Sequence, residues 1–452
     1  MRAPRRIVVV SNDHIGSTMA GPGIRYLNFA RELRSEGDVT LVVPFPTDLE
    51  PDGFELVVAN PADRAAMVRI IGGADCMVAQ RLSVPVMRAL ARTRTRRIYD
   101  LYAAAPFEGM ALNARQGGDR VLEATLRLDL FTLKVALQTG DAFVCASERQ
   151  RDLWIGALLE LGRIDATRFE EDPSLHDLVD VVPFGVDVEP PRASKRVLKG
   201  VVPGIAQSDR VLLWPGGIWN WFDPLTVIDA VGELSRRRDD VRLVFLGLRH
   251  PNPNVPEMRI TAAAIERAER LGLRDRAVFF REGWVPYGER GAYLLEADLG
   301  VSAHFDDLET HFAFRTRLMD CIWAGLPLVT TVGDAIGDLV AERGLGRAVP
   351  SEDVGAWVEA LDALLGDARA CDDARAAIAD VRADFLWPRA VDPLRRLVRG
   401  EGVTVPRRRS APATRRWMLW RVRHAVANRG VTGAAARFAH VARRRALRRA
   451  VP

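Results

Sequence analysis

The densest run of chemically capable side chains lies at residues 304–334, HFDDLETHFAFRTRLMDCIWAGLPLVTTVGD. A loop with Asp306, Asp307 and Glu309 leads into a helical pattern holding Arg315, Arg317 and Asp320. Gly325 ends that pattern and Pro327-Leu-Val-Thr-Thr reads as the next strand. Two arginines near a helix start suit a diphosphate, because bidentate cationic donors and the helix dipole act on the same anion. A carboxylate such as Asp320 can accept hydroxyl hydrogen bonds from a ribose. The bland alternative is a solvated charged helix. The Asp306-Asp307 pair is the one feature that could hold a Mg²⁺-diphosphate. No segment has the ligand spacing of a metal site, so neither a metal nor a cofactor is expected.

Other segments carry weaker signals. In VLLWPGGIWNWFDP (211–224), Gly216 and Gly217 would let a pyrophosphate approach the backbone, and Trp219 and Trp221 could stack on a base or sugar. Trp284, in REGWVPYGER, is a further candidate near the base. The first loop, SNDHIGSTMAGPGIRY (11–26), combines Gly21 and Gly23 with Arg25 and His14 ahead of a helix whose N–H groups are open to an anion. Asp100 closes RRIYD at a strand's carboxyl end, where it either points to a cleft or caps the next helix. Asp100 and His14 are the candidate catalytic groups of the first part of the chain, and no covalent nucleophile stands out.

Elements that would position these side chains are legible as a rhythm. RRIVVVS, VTLVV, ELVVA, CMVAQ, RRIYD and DAFVCAS read as strands, with helical spacing between most of them, beginning with Ile24, Leu27, Ala30 and Leu33. Such alternation predicts a parallel sheet covered on both faces. It stops near DVVPFGVDVEPPRASK and restarts at VLLWPGG, continuing through VRLVFLG, AVFFREG, LGVSA and PLVTT. The expectation is an α/β chain with an N-terminal domain over 1–186, a linker at 187–200, a second domain over 201–382, a crossover helix at 383–400 and an Arg-rich helical tail at 401–452. Two open α/β sheets would leave a cleft beyond the carboxyl ends of their strands.

Of the 452 residues, 48% are hydrophobic and 27% charged, as in a globular protein. The net charge of +5 hides an asymmetry: residues 401–452 hold 14 Arg and one Glu, leaving the other 400 residues at −8. The basic balance therefore belongs to the tail. There Trp417, Leu419 and Trp420 lie among Arg415, Arg416, Arg421 and Arg423, a composition suited to an anionic membrane surface or to packing on the acidic body. The body has no aromatic interleaving or nucleic-acid module, so nucleic acid is not the expected partner. Cys76, Cys145, Cys321 and Cys371 lack metal or CxxC spacing and read as buried thiols of a reducing compartment. With no secretory signal and no run of about 20 apolar residues, the expected location is the cytoplasm, with peripheral contact at the inner membrane face.

At these residues the chain resembles the family 4 (group 1) retaining glycosyltransferases. The GPGIRY loop, FVCASERQRDLW, VVPFGVD, MDCIWAGLPLV and ADFLWPRAVDPLRRLV are similar, in order, to family segments, over about residues 5–400. The family has two Glu with seven residues between them; here the second corresponds to Asp320 and the first falls on Phe312, with Glu309 as a substitute. The basic pair that follows the first glycine of the family's second domain is replaced by tryptophans. The resemblance implies a GT-B fold of two Rossmann-like domains facing a cleft, a nucleoside-diphosphate sugar held by the second domain, an acceptor held by the first, retention of configuration, and no obligatory metal. Polysaccharide or glycoconjugate synthesis follows from it, with a lipid-linked glycan or a small molecule as acceptor. A sugar-nucleotide epimerase, or a protein that binds nucleotide sugars without turnover, remains open.

Overall fold

A computed structural model describes residues 4–115, 120–193, 195–248, 250, 252, 255 and 257–401. Expectations for the Arg-rich tail past Glu401 lie outside the described residues. The first part of the chain supplies β1 (Arg6–Val10), β2 (Asp38–Val43), β3 (Glu55–Val58), β4 (Cys76–Ala79), β5 (Arg96–Asp100), β6 (Ala142–Cys145) and β7 (Val179–Val181). These form one parallel sheet in the order β3-β2-β1-β4-β5-β6-β7. The second part supplies β8 (Arg210–Trp214), β9 (Val241–Phe245), β10 (Val278–Phe280), β11 (Leu299–Ser302), β12 (Leu328–Thr331) and β13 (Gly346–Val349). They form a second parallel sheet, β10-β9-β8-β11-β12-β13.

The strands are short apolar runs because both faces are covered: every residue of β4, β6, β11 and β12 is buried. Strand order reverses at β1/β4 in the first sheet and at β8/β11 in the second. Loops after these strands diverge to opposite faces, which opens a crevice at their carboxyl ends. The loops after β1, β8 and β11 are the ones that hold most of the sequence's reactive side chains.

The sequence reading missed β7 and β13. Asp180 interrupts β7, and its buried carboxylate is bonded by Arg396, His176 and the Val181 N–H. The chain's last described helix, Asp392–Arg399, returns to the first sheet, where Arg395 pairs with Glu32, Arg396 with Asp180 and Arg399 with Glu36. Trp387 seats beside Phe184 and Phe29, joining the connecting segment to the first helix, Gly21–Leu33. All four cysteines are buried and free.

Candidate active site

A cavity of about 460 Å³ lies between the two sheets' switch points. Its second-domain wall is built by the loops after β8 and β11, which are held together: Asp223 N–H donates to the Ala303 carbonyl (2.9 Å), and Phe222 bridges His304. Gly216 takes φ +93, where a side chain would be strained, and no atom lies near its missing Cβ. Gly217 and Gly247 lie under the Trp284 ring; a Cβ on Gly247 would stand 2.9 Å from it. Trp219 and Trp221 stack on each other at 5.0 Å, and Trp219, His250 and Trp284 follow edge to face along the wall.

The helix Thr316–Ala324 starts at this wall, with Gly325 in the left-handed conformation closing it. Asp307 and Asp334 cap the flanking helices Leu308–Phe312 and Ala335–Arg343, but no side chain caps Thr316–Ala324. Nor does one cap Gly21–Leu33, whose Gly21 faces it so closely that a Cβ would stand 3.0 Å from the Thr316 hydroxyl. Two helix N-termini with open N–H groups thus meet at the cavity, which favours an anion there.

Arg315 and Arg317 have different surroundings. Both Arg315 terminal nitrogens bond Glu309, at 3.0 and 2.7 Å, and its Nε lies 3.7 Å from Asp334, which also faces His304 at 2.9 Å. Burial alone would weaken the Arg315 charge, but Glu309 and Asp334 outweigh it and hold the proton more tightly. Arg317 has no ion pair among the described residues. It lies 3.8 Å over the Phe222 ring, near Trp214, and its Nη1 is buried without a hydrogen-bond partner. Burial, and then the charge of Arg315, pull its guanidinium down to about 9.

Asp320 lines the cavity and receives Arg290 Nε on Oδ1 at 3.1 Å. Burial raises its pKa and Arg290 opposes the rise. From the first domain, Glu108 of the helix Ala105–Arg115 enters the same cavity, and Phe107 stacks on Phe312 at 5.2 Å. Burial, and then the Glu309 charge, push the Glu108 carboxyl up to about 7.

Of the expected site residues, Gly21, Gly216, Gly217, Trp219, Trp221, Trp284, Glu309, Arg315, Arg317 and Asp320 are brought to this cavity. Others are not. Arg25 and Asp100, expected at donor and acceptor, are spent on each other: Nε and Nη2 bond the carboxylate at 2.7 and 3.0 Å, and both side chains are fully buried. Arg25 also donates to the Val182 and Pro183 carbonyls, so the pair fastens β5 to the connecting segment. Gly23 lies inside the first helix, where a Cβ would meet the His14 carbonyl at 2.4 Å; it serves close packing, not ligand approach. His14 sits beside Phe45 and does not line the cavity. Glu309 is at the wall, but both of its oxygens receive Arg315. Asp307 is a helix cap and Asp306 is exposed, so the acidic pair does not face the cavity. Among the described residues no cluster of His, Cys, Asp and Glu is arranged to hold a metal. The sequence reading missed Glu108 and Arg290; the latter ends the REGWVPYGER run that pointed to Trp284.

Residues 209–367 match the family model described as glycosyl transferases group 1. A D-inositol 3-phosphate glycosyltransferase of Nocardia farcinica is 25% identical over 241 residues, 51% of each chain. Its namesake from Mycobacterium tuberculosis is 24% identical over 221 residues, 48% of this chain and 42% of its own. The chain therefore spans about half the length of the curated relatives it matches. Among solved structures, Anabaena HepE in complex with UDP-glucose superposes with a TM-score of 0.60 at 13% identity, covering 87% of this chain and 98% of that one. A glycosyltransferase from Rickettsia africae gives 0.59 at 13% identity over 88% and 100%. The second domain is thus similar to the group 1 glycosyl transferases over residues 209–367, and the chain around it has the GT-B fold.

Proposed function

We propose that the chain transfers a sugar from a nucleoside-diphosphate sugar to an acceptor hydroxyl. Arg317 carries this reading. A guanidinium with a buried, unbonded nitrogen and no ion pair among the described residues is a costly arrangement unless an anion completes it. It lies where two uncapped helix N-termini and the open Gly216 backbone meet. A diphosphate supplies the charge and the acceptor oxygens that this corner lacks. UDP-glucose bound to HepE, a protein of the same fold, supports a nucleotide sugar as donor.

The residues divide the work by position. Asp320 meets the ribose, and Trp284 with the Trp219–Trp221 pair lines the way to the base. As the acceptor oxygen bonds the sugar's C1, the C1–O bond to the diphosphate breaks. The negative charge then lands between Arg317 and the helix N-termini, where preformed donors stabilise it most. Glu108, on the first domain, takes the proton that the acceptor hydroxyl loses. The resemblance to retaining enzymes supports retention at C1. Fixed cations and dipoles take the charge, so activity is expected to survive EDTA. The acceptor is a lipid-linked glycan or a small polyhydroxy molecule. The cytoplasm, with segment 401–452 on the anionic inner membrane face, is the proposed location.

A thermal-shift screen against UDP, GDP and ADP and their glucose conjugates tests the reading, since a ligand of the native state raises its melting temperature. Arg317→Ala should weaken the bound nucleotide about 10- to 100-fold, the range for losing hydrogen bonds to a charged group. An unchanged affinity in the folded variant removes Arg317 from the donor site. Phe312, in place of a family carboxylate, favours one second reading, a binding protein without turnover. Nucleotide-sugar binding with no transfer to any acceptor, inositol phosphate included, would establish that instead.

A further inference from the structure

We propose that Arg290 is a positioning residue for ribose recognition, and that it aims Asp320 from an anchor on the segment joining the two domains. The inference rests on the reading of Asp320 as the ribose contact. Arg290 opens the helix Arg290–Glu296, and all three of its guanidinium nitrogens are engaged. Nε donates to Asp320 Oδ1 (3.1 Å), Nη2 to Asp187 Oδ2 (2.7 Å) and Nη1 to the Tyr287 carbonyl (2.9 Å). Its Cζ lies 3.6 Å from the centre of the Tyr287 ring and 4.2 Å from that of Trp323. A planar cation bonded at every nitrogen and stacked on aromatic rings cannot turn without losing several contacts together.

Its anchor is equally fixed. Tyr287 donates its hydroxyl to the same Asp187 oxygen at 3.1 Å, and Arg382 bonds the Asp187 and Val188 carbonyls at 3.1 and 2.7 Å. Trp323 Nε1 donates to the Glu189 carbonyl at 2.7 Å. Tyr287 N–H reaches the Ser17 carbonyl of the loop after β1 at 2.7 Å, so the cluster is tied to the first domain as well.

Asp320 itself depends on this cluster. Arg290 is the one described residue that bonds its carboxylate, and it takes Oδ1, leaving Oδ2 to the cavity. Arg290 fixes the direction in which that oxygen points, and its charge works against the rise in pKa that burial imposes on the carboxyl. An ionised, aimed carboxylate accepts a ribose hydroxyl strongly. A protonated or freely turning one does so weakly. A surface ion pair of purely structural use would not need to be open to the cavity, yet Tyr287, Arg290 and Asp320 all line it.

The test is discrimination between ribose and deoxyribose. Dissociation constants of UDP, GDP and ADP and of their 2′-deoxy forms are measured by calorimetry for wild type, Asp320→Asn, Arg290→Gln, Arg290→Lys and Asp187→Asn. Wild type is expected to prefer the ribo form about tenfold or more, as a site built to bond a hydroxyl does. Arg290→Gln should cut the preference to roughly threefold or less, by weakening the ribo form and sparing the deoxy form. A loss shared equally by both forms is the mark of a structural role and overturns the proposal, as does an unchanged preference. Should Arg290→Gln not fold, Arg290→Lys and Asp187→Asn carry the test: each removes part of the network and should lower the preference at least about threefold. An unchanged preference in both overturns it. Asp320→Asn separates the two levels. If it keeps the wild-type preference, or if wild type shows no preference or binds none of the nucleotides, the ribose reading itself fails and this proposal with it.

Discussion

Burial and the neighbouring Glu309 hold the Glu108 carboxyl up to about 7, so its charge changes near neutral pH. The sign of the stability effect follows. The folded state binds this proton more tightly than the unfolded chain, whose Glu titrates near 4.3. Stability is therefore lost as pH rises from that value through about 7, and the full penalty stands above it. Glu108→Gln removes the penalty: melting scans should show the variant gaining on wild type at pH 8 and matching it near pH 4. A gain independent of pH would show that the carboxyl's charge is not the cause. If Glu108 takes the acceptor proton, the same variant also loses transfer by about 10²–10⁴-fold while nucleotide affinity holds. Arg25 and Asp100 show the opposite outcome at this scale. Both have the chemistry of a site, but a bidentate bond to each other and the Val182 and Pro183 carbonyls use them up inside the fold.

At the scale of elements, the segment after β7 bears on two helices at once. A Cβ at Gly185 would stand 2.4 Å from the Trp387 ring, and Val186 exchanges backbone bonds with Phe385 and Trp387 at 2.7 and 3.0 Å. Gly185→Ala must push the Trp387 helix off Phe184 and Phe29. Overpacking of this kind costs about 1–3 kcal/mol, to be read as a lower urea midpoint with an unchanged m-value. An unaltered midpoint would mean that the closing helices carry no part of the cooperative fold. The uncapped starts of Gly21–Leu33 and Thr316–Ala324 belong at this scale too. Each leaves N–H groups open on its own side of the cleft, and the two positive helix ends meet at the cavity.

For the whole molecule, charge is distributed unevenly: the segment 401–452 holds +13 against −8 for the remainder. Basic residues interspersed with Trp attract anionic lipid, by roughly 1 kcal/mol per basic residue near the surface, and salt screens the attraction. Removing 401–452 should reduce co-sedimentation with vesicles containing phosphatidylserine, most at low salt, and leave nucleotide affinity intact. Full-length protein that ignores such vesicles at low salt would end the membrane reading. No described helix is long and apolar enough to cross a membrane. In the body, one apolar cluster runs from Val9 of the first sheet and Phe29 of the first helix through Phe184 and Trp387 to Leu318 and Ile322 of the second domain, so linker, helices and both sheets share a core.

Alternation of apolar strand runs with helical spacing depends on local chain periodicity, and it was enough to read two parallel sheets and the cleft between them. The run 304–334 likewise shows a helix followed by a strand, a local pattern that puts Arg317 and Asp320 on that helix. β7 and β13 escaped, since a three- or four-residue strand carrying Asp180 or Arg347 has no signal apart from the neighbours that pair with it. The partners of charged side chains were beyond sequence altogether. Arg315 and Arg317 are two residues apart and chemically alike, yet one is neutralised by Glu309 and the other is left to the cavity. Glu108 and Arg290 gain their roles from groups 201 and 103 residues away, Glu309 and Asp187. Spacing sets which face of a helix a residue occupies; tertiary packing alone decides what that face meets, and hence which charges remain free to do chemistry.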